Sequence, residues 1–201
     1  MNIKILLDTP SVDSLRYLLE EMVDDPYVGT LEPKRRELWM ERMFKKIEER
    51  QSLDMQSTVA YNGSGIVGIA FSRPLADQSY CANMKEDNDF WKMGNFYVLK
   101  DYRGQGIGKL ALNHFLEAKE RKVFYFADRE NLASNKVADA CGMHYTHDFF
   151  VPKWTTRKEL CKKDVVVRCP ANYFRVYCGV VPPQELIHDT FYMEKNLYEN
   201  L

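Results

Sequence analysis

The 201-residue chain has no apolar run approaching the roughly 18 residues that a membrane-spanning helix requires. Its opening MNIKILLDTP lacks the basic start and cleavage site of a secretory leader, so a cytoplasmic protein without membrane contact is expected. No CxxC pair occurs. The cysteines Cys81, Cys141, Cys161, Cys169 and Cys178 are odd in number and irregularly spaced, which argues for buried or free thiols rather than a disulfide frame and gives no ground for a metal site. Net charge is nearly absent too: 28 basic side chains face 29 acidic ones, so a polyanionic partner must be met by a local patch. With no internal repeat, low-complexity tract or linker, residues 1–201 are expected to form one domain, long enough to bury roughly 70% of its unfolded surface.

What is present is an alternation of β-prone and helical segments. NIKILL (2–7) reads as a strand, after which Ser11 can cap a helix carrying Leu15, Leu18, Leu19, Met22 and Val23 on one side and ending by Pro26. Pro33 suits the first turn of a second helix, with Trp39, Met40, Met43, Phe44 and Ile47 sharing a face. STVAY and IVGIAF, joined through Asn62-Gly63-Ser64-Gly65, form a hairpin, and residues 76–90 read as a surface loop. GNFYVLK (94–100) is β-prone and runs into DYRGQGIGKLAL (101–112), where glycines 104, 106 and 108 meet the start of an amphipathic pattern: Ile107, Leu110, Ala111, Phe115 and Ala118 are expected to face the core. VFYFA (123–127) is a strand, Asn131–Cys141 a short helix stopped by Gly142, and MHYTHDFFV, DVVVRC, NYFRVYCGV and DTFYMEKNL are β-rich.

Alternating glycines between a strand and a helix let main-chain N–H groups turn towards one spot, beside the positive end of the helix dipole, which suits a phosphate. The loop is no Walker loop, because Gly104 to Lys109 is followed by Leu110 where that motif needs Ser or Thr. It is no dinucleotide fingerprint either, since the third glycine is wrongly spaced. The arrangement Arg103-x-x-Gly106-x-Gly108 resembles the signature of the GCN5-related N-acetyltransferase (GNAT) superfamily. Further segments resemble the same family in the same order: NGSGIVGIAFSRP its second and third strands, FYVLKDYRGQGIGKLAL its fourth strand and following helix, ENLASNKVADACGM (130–143) a later helix, and DTFYMEKNL (189–197) its last strand.

The resemblance implies an α+β (α/β/α) fold, with a mixed central sheet of six to seven strands splayed between strands four and five and a β-rich insertion before the last strand. It implies acetyl-CoA as co-substrate, with no metal, and transfer of the acetyl group to a primary amine of a protein or small molecule by direct attack in a ternary complex. Phe96, Tyr97 and Val98 would pair with the pantetheine arm, and Arg103, Gly104, Gln105, Gly106, Ile107, Gly108 and Lys109 would hold the pyrophosphate. Many relatives place an acidic tyrosine seven residues after the asparagine matching Asn131; here that position is Ala138. Ser134 and Val137 instead match the branch resembling ribosomal-protein and other protein N-terminal acetyltransferases, so Ser134 is expected at the coenzyme sulfur, its other reading being a helix cap. For the base, the strand after Gly142 offers Asp148 and the loop before strand four offers Glu86, Asp87 and Asp89; an ordered water chain does the same work. His144 and His147, three apart on a strand, are expected to face opposite sides.

Residues 151–187 stand where relatives need a short turn. Within 153–175, Lys153, Arg157, Lys158, Lys162, Lys163, Arg168 and Arg175 outnumber Glu159 and Asp164, amid Trp154, Tyr173, Phe174 and Tyr177. Basic residues interleaved with aromatics can meet nucleic acid through 153–175, although a hairpin with its aromatics packed inward is favoured. Two other functions stay open at this point: a non-catalytic acyl-CoA-binding regulator, and transfer to a nucleic-acid amine. A monomer and a homodimer are both compatible with the sequence.

Overall fold

The computed structural model describes residues 2–23, 33–53, 55–63, 65–74, 89–151 and 172–181. The chain begins with strand β1 (Ile3–Asp8) and helix α1 (Val12–Val23). Ser11 caps α1 as expected, its Oγ accepting the Ser14 N–H at 3.2 Å. Helix α2 (Pro33–Ser52) follows and packs beside α1. Leu15, Leu18, Leu19, Met22 and Val23 from α1, with Met43 and Ile47 from α2, are buried because the i, i+3, i+4, i+7 spacing puts them on one side of each helix.

Six more strands complete a seven-stranded sheet: β2 (Ser57–Asn62), β3 (Gly65–Pro74), β4 (Trp91–Val98), β5 (Val123–Asp128), β6 (His144–Val151) and β7 (Asn172–Cys178), in the order β1-β2-β3-β4-β5-β7-β6. All neighbours are antiparallel except β4 and β5, which are parallel and connected by helix α3 (Ile107–Ala118). That parallel ladder is short: Trp91, Lys92 and Met93 pair with Val123, Phe124 and Tyr125, and both strands then run on without pairing to each other. On its other side β4 carries one extra residue against β3, since Ile69 pairs with Tyr97 but Phe71 with Gly94. Such a bulge bends the strand and turns it away from its neighbour.

The expected layering is present. Ile69 belongs to a core with α1 and α2, whereas its neighbour Ala70 belongs to a second core with α3 and helix α4 (Leu132–Ala140), so the two helix pairs cover opposite faces of the sheet. Within α3 the buried positions are Ile107, Ala111, Leu112, Phe115 and Leu116; Leu110 and Ala118, expected in the core, are exposed. The helix is turned so that Leu112 and Leu116 fill the space between sheet and α4. The strand 172–178, read from sequence as part of the insertion, is instead an interior strand of the sheet: β7 pairs with β5 through Tyr125–Tyr177 and with β6 through Asp148–Arg175. DVVVRC and DTFYMEKNL, and all the basic residues of the insertion except Arg175, lie outside the described residues.

One side chain fastens several chain ends. Arg121, in the turn after α3, donates from Nε to the Gly179 carbonyl at 2.9 Å and from Nη2 to the carbonyls of Cys141 and Gly142 at 3.1 and 3.0 Å. It therefore ties the ends of α4 and β7 to the turn that starts β5. Gly179 is required by this closeness, because a Cβ there would stand 2.3 Å from the Arg121 carbonyl oxygen. Of the five cysteines, Cys141 and Cys178 are described; both are buried free thiols.

Candidate active site

The glycine loop leaves β4 through a single 3-10 turn (Lys100–Tyr102) and enters α3 at Gly106. Gly104 and Gly106 adopt φ of +74° and +79°, the left-handed region that disfavours a side chain, and a Cβ at either would meet nothing within 4 Å. Both glycines belong to a row of main-chain donors: among the described residues the N–H groups of Gly104, Gln105, Gly106, Ile107, Gly108 and Lys109 donate to no protein acceptor. The N–H of Arg103 is already used by the Lys100 carbonyl at 3.2 Å, so this row begins at Gly104. The Arg103 side chain folds back, its Nε donating to the Val98 carbonyl at 2.9 Å and its guanidinium lying 5.0 Å from the Tyr97 ring centre. Glu21 of α1 holds the loop's base by accepting the Lys100 N–H at 2.6 Å and the Tyr97 hydroxyl at 3.2 Å.

Gly108 serves a different purpose from its two neighbours. A Cβ there would lie 3.1 Å from a Phe96 ring carbon and 3.2 Å from a Val137 methyl, so the position is kept small by packing of α3 against β4 and α4.

Where β4 and β5 part, each face of the sheet offers something different. On the α3/α4 face, Tyr125 is the last β5 residue paired to β4, and its hydroxyl lies 2.6 Å from Ser134 Oγ. Burial pushes the Tyr125 phenol up to about 12. Asn131 is the cap of α4, its Oδ1 accepting the Ser134 N–H at 3.1 Å, so the Ser134 hydroxyl is left for Tyr125. Below this pair the buried Asn135 donates to the carbonyls of Asp128 and Asn131 at 2.9 and 2.8 Å and accepts the Tyr177 hydroxyl at 2.9 Å. These bonds fix the start of α4 against β5 and β7.

On the opposite face, Gly94 and Phe126 border a cavity of about 510 Å³ between α2 and strands β3, β4 and β5. Lys46, Glu49 and Arg50 of α2, Arg73 of β3 and Lys92 of β4 line it with Met43, Leu53, Met55 and Phe71. Desolvation first, then the charge of Arg73, lowers the Arg50 guanidinium to about 10; desolvation, then Arg73 and Arg42, lower the Lys46 ammonium. The hydroxyl pair thus lies on the α3/α4 face of the sheet, and the cavity, bordered by Gly94 just past the last β4–β5 pair, lies on the other.

The sequence model of the acetyltransferase (GNAT) family matches residues 16–143, more than half of the chain. This chain belongs to the GNAT acetyltransferase family. It is thus an acyltransferase by family. Solved structures share the GNAT fold at low identity. A ribosomal-protein-alanine N-acetyltransferase from Brucella melitensis is 16% identical with a TM-score of 0.59, over 88% of this chain and 99% of its own. An N-acetyltransferase from Staphylococcus aureus is 15% identical with a TM-score of 0.57, over 88% and 97%. The PaiA N-acetyltransferase from Thermoplasma acidophilum, solved with coenzyme A, is 16% identical with a TM-score of 0.54, over 89% and 99%. No curated protein matches by sequence.

Within this GNAT fold the sequence-predicted residues divide into two groups. Phe96, Tyr97 and Val98 lie on β4 beyond the end of its ladder with β5, next to the donor row and the Ser134–Tyr125 pair. Asp148 stands apart: on β6, two strands from β5, its carboxylate faces Arg129 at 3.8 Å and accepts the Tyr145 hydroxyl at 3.1 Å. Asp89 is exposed and pairs with Lys122, whereas Glu86 and Asp87 lie outside the described residues. The strand β6 shifts register between Tyr145 and His147, leaving His144 exposed and His147 half-buried, with burial lowering the His147 imidazole from its ordinary value. Sequence reasoning passed over Tyr125, Asn135 and the cavity cations. A tyrosine inside a buried strand is a signal in itself, because its hydroxyl needs a partner.

Proposed function

We propose that this chain transfers an acetyl group from acetyl-CoA to a primary amine by direct attack in a ternary complex. The observation that carries this reading is the row of six uncommitted N–H groups from Gly104 to Lys109, uncrowded at Gly104 and Gly106 and next to a strand split. The dipole of α3 adds its positive end at the same place. This cradle suits a pyrophosphate, and the stretch Phe96–Val98 beyond the ladder suits an extended arm lying along β4. Bound acetyl-CoA supplies the thioester acyl group. The main-chain N–H near Val98 polarises the acyl oxygen, and Ser134, held by Tyr125, hydrogen-bonds the sulfur as it leaves. Asn131 takes part by setting the first turn of α4. The amine enters through the cavity beside Gly94 and Phe126. It gives up its proton to water or to Glu49, the one carboxylate along the described cavity wall. Asp148, engaged by Arg129 and Tyr145, is given no part in proton transfer.

The acceptor is a peptide or small-molecule amine, and the Ser134/Val137 pattern favours the protein-directed branch. Calorimetry with coenzyme A and with acetyl-CoA, followed by assay of free thiol release on a panel of primary amines, tests the reading. Binding with release on at least one amine is expected. Binding without release on any amine marks the chain as an acyl-CoA-binding protein, and no binding overturns the cofactor assignment itself.

A further inference from the structure

The cavity between α2 and the sheet carries more positive charge than its own residues neutralise. Lys46, Arg50 and Arg73 line it against the single carboxylate of Glu49. None of the three cations forms an ion pair among the described residues. Arg50 is fixed in place: Nη2 donates to the Gln56 carbonyl at 2.7 Å and the guanidinium lies 5.5 Å from the Phe71 ring centre. Its Nε is buried and makes no hydrogen bond among the described residues. Leaving a buried donor unmatched is costly, and holding two arginines and a lysine together with one carboxylate among them is costly again. Such costs persist where a ligand removes them.

The size of the space decides what kind of anion fits. About 510 Å³ is the volume of a small-molecule site, lined here by apolar side chains on one part and by the cations on another. A guanidinium is built to bind a planar carboxylate or a phosphate through paired N–H groups. Gly94, just past the last β4–β5 pair, lines this space and adds no side chain to it; a Cβ there would meet only Lys92 Cε, at 3.7 Å.

We propose that the acceptor is a small primary amine that also carries an anionic oxygen group, a carboxylate or a phosphate, which Arg50, Arg73 and Lys46 bind while the amino end reaches the split. The inference rests on the acetyl-transfer reading, and it takes the small-molecule side of the acceptor choice, against the protein-directed leaning of Ser134 and Val137. It is tested with matched acceptors: ω-amino carboxylic acids of three to six carbons against their primary amides, and ω-aminoalkyl phosphates against the corresponding amino alcohols. Each is assayed for thiol release and, separately, for calorimetric binding to the protein saturated with coenzyme A. At least one anionic member is expected to exceed its neutral partner by about tenfold in kcat/KM and in affinity, about 1.4 kcal/mol. The series that gains more identifies the anion as carboxylate or phosphate. Arg73→Gln is expected to reduce that preference about tenfold, with coenzyme A affinity and melting temperature as checks on the fold. Arg50→Lys, which keeps the charge but loses the fork, serves as the second variant and is expected to reduce it by a smaller factor. Equal turnover of charged and neutral partners, or a preference unchanged in Arg73→Gln, overturns the inference while leaving acetyl transfer intact. Tight binding of the anionic amines without thiol release overturns acetyl transfer and leaves the cavity's anion preference standing.

Discussion

Replacing Ser134 by alanine separates two effects that the structure joins in one contact. The Tyr125 hydroxyl is buried, with the side chain 2% exposed, and its partner at 2.6 Å is Ser134 Oγ. Ser134→Ala strands that phenol without a partner, a loss of about 1–3 kcal/mol. For a domain of this size, about 2 kcal/mol corresponds to a fall in Tm of roughly 4–8 °C. Tyr125→Phe removes the buried hydroxyl itself and leaves Ser134 half-buried in the first helical turn, where it can turn to water, so its cost is about 1 kcal/mol. Removing both groups strands neither, so the double variant should melt above Ser134→Ala alone. Catalysis follows a different rule. If Ser134 hydrogen-bonds the departing thiolate, the lost charge-assisted bond is about 1.5–3 kcal/mol in the transition state, a fall in kcat of roughly 10- to 150-fold. Thermal melts, calorimetric coenzyme A affinity and thiol release on the three variants make the measurement. A kcat for Ser134→Ala within about threefold of the parent would refute the role at sulfur. A double variant no more stable than Ser134→Ala would refute the account of the contact.

Other predictions concern the loop, the sheet and alkaline stability. Gly106→Ala, forced into a left-handed φ of +79°, should lose about 1–2 kcal/mol and bind coenzyme A roughly tenfold more weakly by calorimetry. Gly179→Ala, with a Cβ 2.3 Å from the Arg121 carbonyl, should lose about 3 kcal/mol in urea unfolding. Asp148→Asn breaks only an exposed ion pair, so kcat/KM should stay within about twofold; a larger loss would return Asp148 to the chemistry. Burial raises Tyr61 and Tyr125 from 10.0 to about 12 and Cys178 from 9.0 to about 11. The unfolded chain releases these protons first, so the stability is complete below about pH 9 and lost as the pH rises towards about 12. The urea midpoint should fall across that window, less steeply in Tyr125→Phe, and a flat profile would contradict the assignment.

Local signals were legible in the sequence and distant ones were not. Ser11 caps its helix through a residue three positions on, and the strand, glycine loop and helix from 94 to 118 follow one another directly, so spacing alone located them; the cap of α4 is Asn131, with Ser134 as the residue it holds. Leu110 faces outwards because two leucine phases overlap in GKLALNHFL, and only the sheet and α4 decide which one faces inwards. Gly108 matches its two neighbours in sequence, yet Phe96 and Val137 pack against it from elements far along the chain. The Tyr125–Ser134 contact depends on how α4 docks, and the cavity cations come from α2, β3 and β4, brought together only by sheet register. The position of β7 was hidden for the same reason: a segment that follows β6 in sequence inserts between β5 and β6 in space.

That inserted strand also sets an order of events for a chain leaving the ribosome. Until residues 172–178 emerge, β5 and β6 have no strand between them, and each presents an open edge able to pair with another molecule. The helices and strands up to β5 can assemble before it, but the half of the sheet holding α4 is sealed only after β6 has emerged, when β7 slides in and Arg121 finds the Gly179 carbonyl. The glycine loop therefore forms well before the framework that positions Ser134 is complete.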